Sequence, residues 1–244
     1  MSSRGPIRHQ AISVDRSTLA YVSLSFTYKT EEKSEDDLVL LALARVLSLT
    51  FLSSYRFIDK SFGFQRNRDL HHFYGEVVGW GQVEMLFYVD LTLSLNSLSR
   101  SRLLAKIEPV LNDSSIFQLL SAFLELPILD EDGRDWSALA GAGVPPAGLL
   151  SSVLLNFYLD EFDRAFSKRF PSLPYARYMH EVFVAPPRNN QENISLQQIE
   201  NLVKEMELSA KLICIVRGGA PLPCYGGILS VGQDGFLKYF QKEA

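Results

Sequence analysis

His180 and Glu181 stand side by side in Tyr-Ala-Arg-Tyr-Met-His-Glu-Val-Phe-Val-Ala, residues 175–185, with aromatic and apolar residues on either side. That pattern predicts a short β-hairpin with the polar pair at its tip. An imidazole and a carboxylate at such a turn can form a catalytic centre, or they can simply keep the turn wet. Both readings stand at this point. Other reactive residues are sparse. Cys214 and Cys224 are the only cysteines, and no His/Cys spacing suits zinc. They read as isolated thiols, with a face-to-face position on neighbouring strands as the alternative. His71-His72 lacks the i, i+4 partner of a helical metal site and reads as a surface helix face. The Asn-x-Ser triplets at Asn112 and Asn193 read as chance matches to a glycosylation acceptor in a chain with no visible secretory signal.

Regular elements must position these groups. Residues 17–28 alternate apolar and polar side chains and predict a strand. Ser34 and Asp37 resemble a capping box, and the run after them is apolar nearly all round, which predicts a buried helix ending before Ser53-Ser54. Helices are expected over residues 69–78, 99–111 and 115–126, with a buried strand at 82–91. Asp-Gly and Gly-Ala-Gly punctuation in residues 128–143 predicts a hairpin and a loop. A long apolar helix should run over 149–170, closed by Pro171 and Pro174. After the quoted hairpin comes a linker at 186–193, a helix opened by Ser195, and short strands at 212–216 and 226–231. Long helices alternating with antiparallel pairs predict an α+β fold.

The chain has 244 residues, is 47% hydrophobic and carries 16 Phe and 10 Tyr, which excludes a disordered chain and allows a large core. No apolar run reaches the roughly 18 residues that span a bilayer. With no secretory signal and no Arg-rich transit peptide, the chain is expected to be cytosolic or made inside the compartment where it works. The net charge of −4 lacks the basic surplus usual for nucleic-acid binders. Its basic residues form only minor groupings, at Arg66-Arg68 and Arg164-Lys168-Arg169, which read as solvated surface.

In order, residues 35–230 resemble a reverse transcriptase of the group II intron maturase type. Ser61, Gly63, Phe64, Arg68 and His71 match the family's fingers run, while Gln65, Arg66 and Asn67 depart from it. Asp90, in Leu-Phe-Tyr-Val-Asp, falls on the first catalytic Asp of the palm. Gly143, Pro145, Gly148, Asn156 and Asp163 fit the Gly-x-Pro-Gln-Gly segment and its helix, with Pro146 and Ala147 in place of Gln-Gly. The 175–185 hairpin falls on the family's Tyr-Ala-Asp-Asp turn, and residues 221–231 look like a worn primer grip.

The resemblance implies fingers and palm with an antiparallel palm sheet packed on helices and no thumb. It divides the chain at residue 84, an N-terminal arm and fingers-like region over 1–83 and a palm-like region over 84–244. It implies that Asp90, His180 and Glu181 occupy the positions of metal-binding acids, with Asp90 and Glu181 the only two able to hold magnesium. An imidazole is a poor magnesium ligand, so polymerase activity is expected to be lost and no cofactor to be needed. Leu95, Pro146, Ala147 and Gly148 fall at the nucleotide pocket, with Leu95 replacing an aromatic. Arg66, Arg68, Arg164, Lys168, Arg177 and Lys211 would contact RNA. Asp90 reads equally as a strand-end cap, His180 as an exposed turn residue or as Asp90's partner, and Arg68 as a phosphate contact or as Asp69's partner. The implied function is an RNA-binding role in intron splicing, its partner a structured RNA in an organelle-encoded, mitochondrial setting. A structural subunit of a larger ribonucleoprotein and an active RNA-directed DNA polymerase are the alternatives.

Overall fold

The computed structural model describes residues 12–14, 35–65, 68–126, 128–130, 142–145, 148–186 and 194–241. The expected strand at 17–28, the Ser34 cap and nearly all of the linker lie outside them. The architecture is α+β. Strand β1 (Ile12–Val14) pairs in parallel with β4 (Ile128–Asp130), so residues 128–130 join a distant strand instead of a local hairpin.

The central sheet contains β2 (Ser61–Phe62), β3 (Met85–Asp90), β5 (Tyr175–Tyr178), β6 (Glu181–Val184) and β7 (Lys211–Val216), in the spatial order β2-β5-β6-β3-β7. β3 runs antiparallel to both β6 and β7, which makes it an interior strand buried on both faces. That is why Met-Leu-Phe-Tyr-Val reads as an unbroken apolar run. Period-two alternation sends Phe87, Val89, Val182 and Val184 to one face and Leu86, Tyr88 and Phe183 to the other.

The first face packs on α1 (Glu35–Ser54) and α5 (Leu149–Arg169), which lie against each other. The second is covered by α2 (Leu70–Val78) and by a separate antiparallel sheet of β8 (Leu222–Cys224), β9 (Gly227–Val231) and β10 (Leu237–Gln241). Pro221-Leu-Pro, expected as a turn, belongs in part to β8. Proline is tolerated there because β8 is an edge strand. The expected short helices shrink to α3 (Arg100–Ile107), α4 (Ser114–Leu124) and α6 (Leu196–Glu205). Ser195 caps α6 through a reciprocal box with Gln198.

The apolar run of α1 does not make it a buried helix. It buries Leu43, Ala44, Leu47 and Phe51 and leaves Leu38 at 54% and Leu49 at 47% exposure, with Val39 and Val46 beside them. Among the described residues α5 is its main packing partner, and it covers only one stripe of the cylinder. The helix also continues through Ser53 and Ser54, with the Ser53 hydroxyl bonded back to the Thr50 carbonyl at 3.0 Å.

α5 is buried over most of its length, and its polar residues Asn156 and Asp163 meet the sheet. Arg177 on β5 points at this helix with 0% exposure. Its guanidinium meets Asp163 as a fork, with Nε 2.8 Å from Oδ1 and Nη2 2.6 Å from Oδ2. It also donates to Asn156 Oδ1 at 2.7 Å, to Ser61 Oγ at 2.9 Å and to the Met179 carbonyl. Tyr175 donates to the same Asp163 carboxylate. One cation thus ties α5, β2 and the hairpin turn together. Arg177 is therefore no RNA contact, since its charge is spent inside the core.

Removing one partner of a buried ion pair strands the other in an apolar setting. Arg177→Met is expected to lower unfolding free energy in urea by about 3–5 kcal/mol, and Arg177→Met with Asp163→Leu to recover part of that loss. A double variant no more stable than the single one would contradict the account.

Candidate functional site

The hairpin turn is Met179-His180, and Glu181 already belongs to β6, paired with Tyr178 on one side and Asp90 on the other. Met179 adopts φ +54°, a left-handed conformation held by the Arg177 bond to its carbonyl. Because cross-strand partners share a face, Tyr178, Glu181, Asp90 and Lys211 form one row across β5, β6, β3 and β7. The sheet thus brings Asp90 and Glu181 together as direct neighbours. It turns them toward α2 and the β8–β9 turn, on the face opposite Arg177.

Glu181 is 5% exposed, so it does not solvate the turn. Its Oε1 accepts the Tyr88 hydroxyl at 2.9 Å, and the Tyr225 backbone N–H reaches Oε1 at 3.0 Å and Oε2 at 2.9 Å. Burial pushes its pKa from 4.5 up to about 7, opposed by the Tyr225 and Tyr88 bonds and aided by the negative charge of Asp90. The turn that grips it is itself fixed. Tyr74 donates to the Tyr225 carbonyl at 2.7 Å and Tyr239 to the Gly226 carbonyl at 2.8 Å, with their rings stacked. Burial likewise raises the Tyr88 and Tyr74 phenols, which stay neutral donors.

Asp90 ends β3 and accepts the Thr92 N–H at 2.9 Å and the Thr92 hydroxyl at 2.6 Å, both on Oδ1. These bonds make an Asx turn that leads from β3 into the 3-10 turn at Thr92–Asn96. His180 is not an exposed turn residue. It is 8% exposed, its Nδ1 has no hydrogen-bond partner, and burial holds its pKa below the usual value despite the pull of Asp90. A neutral imidazole adds no charge to the site. Magnesium wants several oxygen ligands with near-octahedral geometry. Here the Glu181 oxygens are taken by the β8–β9 turn, and the residues present do not fit a pair of magnesium ions. Among the described residues no group of three or more His, Cys, Asp or Glu side chains is placed to hold a metal.

The remaining expected site residues scatter. Leu95 is buried in the core, and its carbonyl accepts the Val144 N–H at 2.7 Å, so the 143–145 segment does meet the post-strand turn. Gly143 is required there, because a Cβ would lie 2.9 Å from the Asn96 carbonyl. Gly148 caps α5 at φ +53° and ψ −111°, while Pro146, Ala147 and Arg66 lie outside the described residues. Arg68, half-buried, does not pair with Asp69. It donates to the Asp59 and Ser61 carbonyls at 2.5 and 3.0 Å and stacks over Phe62, while Asp69 caps α2 and bonds His72. Arg164 is held by Asp160 at 2.6 Å and by the Arg56 carbonyl. Lys168 and Lys211 are exposed.

Cys214 and Cys224 are free and sit on strands of different sheets. Burial pushes the Cys224 thiol up to about 12. The Tyr74, Tyr88 and Tyr225 set escaped the sequence reading. Its only trace there is a tyrosine-rich composition with no shared spacing. The α5 partners of Arg177 did leave a signal, since Asn156 and Asp163 lie two helical turns apart in an apolar helix.

Solved structures place this architecture. The chain overlays telomerase, a reverse-transcriptase-family enzyme, from Candida albicans in complex with a fragment of telomeric RNA. The TM-score is 0.53 at 13% identity, over 83% of this chain and 39% of that one. Two Candida tropicalis telomerase structures, an apo form and an RNA complex, give 0.54 and 0.53 at 10% and 12% identity. They are covered over 45% and 37% of their length by 83% and 82% of this chain. At such identity the likeness defines a reverse-transcriptase-like fold and speaks to nothing further. In sequence, the chain is 26% identical over 174 residues to an uncharacterized 39 kDa protein in mitochondrial S-1 and S-2 DNA of Zea mays. That match takes in 71% of this chain and 49% of the relative, so the chain spans about half the relative's length. No known family profile matches.

Glu181 titrates near 7 when folded and at 4.5 when exposed, so between those values the folded state binds more protons. Its contribution to stability is full below pH 4.5 and is lost as pH rises through about 7. His180, with its lowered pKa, slopes the other way and loses stability as pH falls. Comparing wild type with Glu181→Gln separates the two. The variant is expected to match wild type near pH 4.5 and to exceed it by about 3 kcal/mol at pH 8, read by urea unfolding. A difference that does not change with pH would refute the buried-carboxyl reading.

Proposed function

We propose that this chain is a reverse-transcriptase-derived, maturase-like protein that binds structured RNA, with a role in group II intron splicing, and does not copy it. The observation that carries the loss of copying is the capture of Glu181 by the Tyr225 N–H and the Tyr88 hydroxyl. This leaves Asp90 without an opposing carboxylate free to share a metal. Nucleotidyl transfer on this type of palm depends on two metal ions held between carboxylates of adjacent strands. The protein in this reading needs no magnesium. RNA as partner is supported by the fold shared with telomerases, two of which are described in complex with telomeric RNA. A mitochondrial setting is supported by the maize relative in mitochondrial DNA.

A second reading, a structural subunit of an organellar ribonucleoprotein, is favoured by one observation. Leu38, Val39, Val46 and Leu49 leave α1 with an exposed apolar stripe of the kind that marks a protein interface.

Two measurements separate these readings from each other and from a surviving polymerase. Primer extension on an RNA template with Mg²⁺ or Mn²⁺ is expected to give no product. Product made by wild type and lost in Asp90→Ala would overturn the proposal. Binding to a labelled structured intron RNA is expected to weaken steeply as salt rises, in proportion to the phosphates neutralised. An affinity flat with salt would remove RNA as the partner and leave the subunit reading.

A further inference from the structure

We infer that two copies of this chain join antiparallel along β7 and make one continuous ten-stranded sheet from two sheets of five. The inference does not depend on RNA binding. β7 closes one side of the central sheet and pairs only with β3. Its hydrogen-bonding phase follows from Arg217, which lies opposite Glu84 when the β3–β7 register is extended by one residue. The Arg217 N–H reaches the Glu84 carbonyl at 3.0 Å. In an antiparallel pair, opposed residues that exchange bonds alternate with opposed residues that do not. Lys211, Ile213 and Ile215 therefore bond inward to β3, and the main-chain groups of Leu212, Cys214 and Val216 point out of the sheet. The β3–β6 ladder agrees in phase, since the Leu91 N–H reaches the His180 carbonyl at 2.9 Å and leaves the even-numbered residues of β3 for β7.

Of the six outward groups, the Val216 carbonyl accepts the Gly219 N–H at 2.9 Å. The other five meet no partner among the described residues. Sheets blunt such an edge with charge, proline or a bulge. β7 has only Lys211, at its first position, and its run Leu-Ile-Cys-Ile-Val consists mainly of strong strand formers. Cys214 is exposed and Val216 is 54% exposed, so the edge is open to solvent.

Free main-chain groups select a strand as the occupant, and their pattern selects a second β7. With the two-fold axis at Ile213, Leu212 of each copy lies opposite Cys214 of the other, and these two pairs exchange four bonds. The Val216 N–H then meets the Ala210 carbonyl of the second copy, once on each side. All five free groups are used, and the Val216 carbonyl, already engaged, is not needed. Moving the axis to Cys214 would require that carbonyl for Leu212 and would set Lys211 against the second copy's Arg217, a like-charge pair. The Ile213 register places Lys211 beside Ile215 and Arg217 beside Ser209 instead. On the opposite face it covers Cys214 with Leu212 and Val216 with Ala210, so apolar groups exposed in one copy meet apolar groups of the other.

The test is sedimentation equilibrium of the whole chain over a concentration series in reducing buffer. A monomer–dimer equilibrium is expected, and a monomer at every concentration overturns the inference. Cys214→Pro deletes an outward N–H that the monomer's own sheet does not use, a change an edge strand tolerates. It removes two of the six bonds between the copies and is expected to weaken dimerisation about tenfold with native circular dichroism. Val216→Lys, at an exposed position, places a charge on the edge and is expected to weaken it likewise. If Cys214→Pro fails to fold, Val216→Lys decides alone. Unchanged dimerisation in the folded variants overturns the inference. Cross-linking reads the register. Side chains directly opposed in a pair without hydrogen bonds stand about 4.5–5.5 Å apart. Ile213→Cys, in a chain carrying Cys214→Ser and Cys224→Ser, is therefore expected to give a disulfide-linked dimer on mild oxidation. The same chain without Ile213→Cys should stay unlinked. A dimer that Ile213→Cys does not link is not joined along β7 in this register, and that outcome too overturns the inference.

Discussion

A single buried cation, the Arg177 guanidinium, organises the centre of this protein. Once removed from water, it must have every donor answered, and Asp163, Asn156, Ser61 and the Met179 carbonyl supply those answers. The partners come from a long helix, an edge strand and the hairpin turn, so satisfying one side chain fixes three elements relative to one another. It also fixes register. With Arg177 committed to the α5 face, strand alternation sends Tyr178 and then Glu181 to the opposite face, where Asp90 waits on the next strand.

That placement puts two carboxylates side by side, and like charges at such separation are costly. The molecule resolves the conflict without a metal. Asp90 is bonded locally to the Thr92 N–H and hydroxyl, while Glu181 is buried, raised in pKa and bonded to the Tyr225 turn. The result retains the geometry of an acid pair on adjacent strands and uses one of the acids as a fastening between two sheets. The reverse-transcriptase-like scaffold and its likeness to telomerases therefore coexist with a centre whose carboxylates act structurally. The phenols of Tyr74, Tyr88 and Tyr239 complete that fastening, and their burial keeps them protonated donors.

Charge follows the same division. Arg68, Arg164 and Arg177 are engaged by the chain's own carbonyls and carboxylates, as suits a protein of net −4. The exposed rings of Phe236 and Phe240 and the apolar stripe of α1 remain uncommitted among the described residues.

Local pattern alone determined much of this protein. An unbroken apolar run marked β3, the apolar flanks of His180-Glu181 marked the β5–β6 hairpin, and Ser195 opened a helix at its observed position. The polar spacing within 149–170 marked the buried face of α5, because those signals depend on residues within a turn or two of each other. Whether His180 and Glu181 were wet or buried was not written locally. It depended on Tyr225, 44 positions further along the chain, donating to the Glu181 carboxylate. The same holds for Arg177, which the resemblance makes an RNA contact and the fold buries, and for α1, whose apolar run predicts a buried helix. Exposure belongs to the neighbours that the tertiary fold supplies, and no residue's own type or spacing contains them.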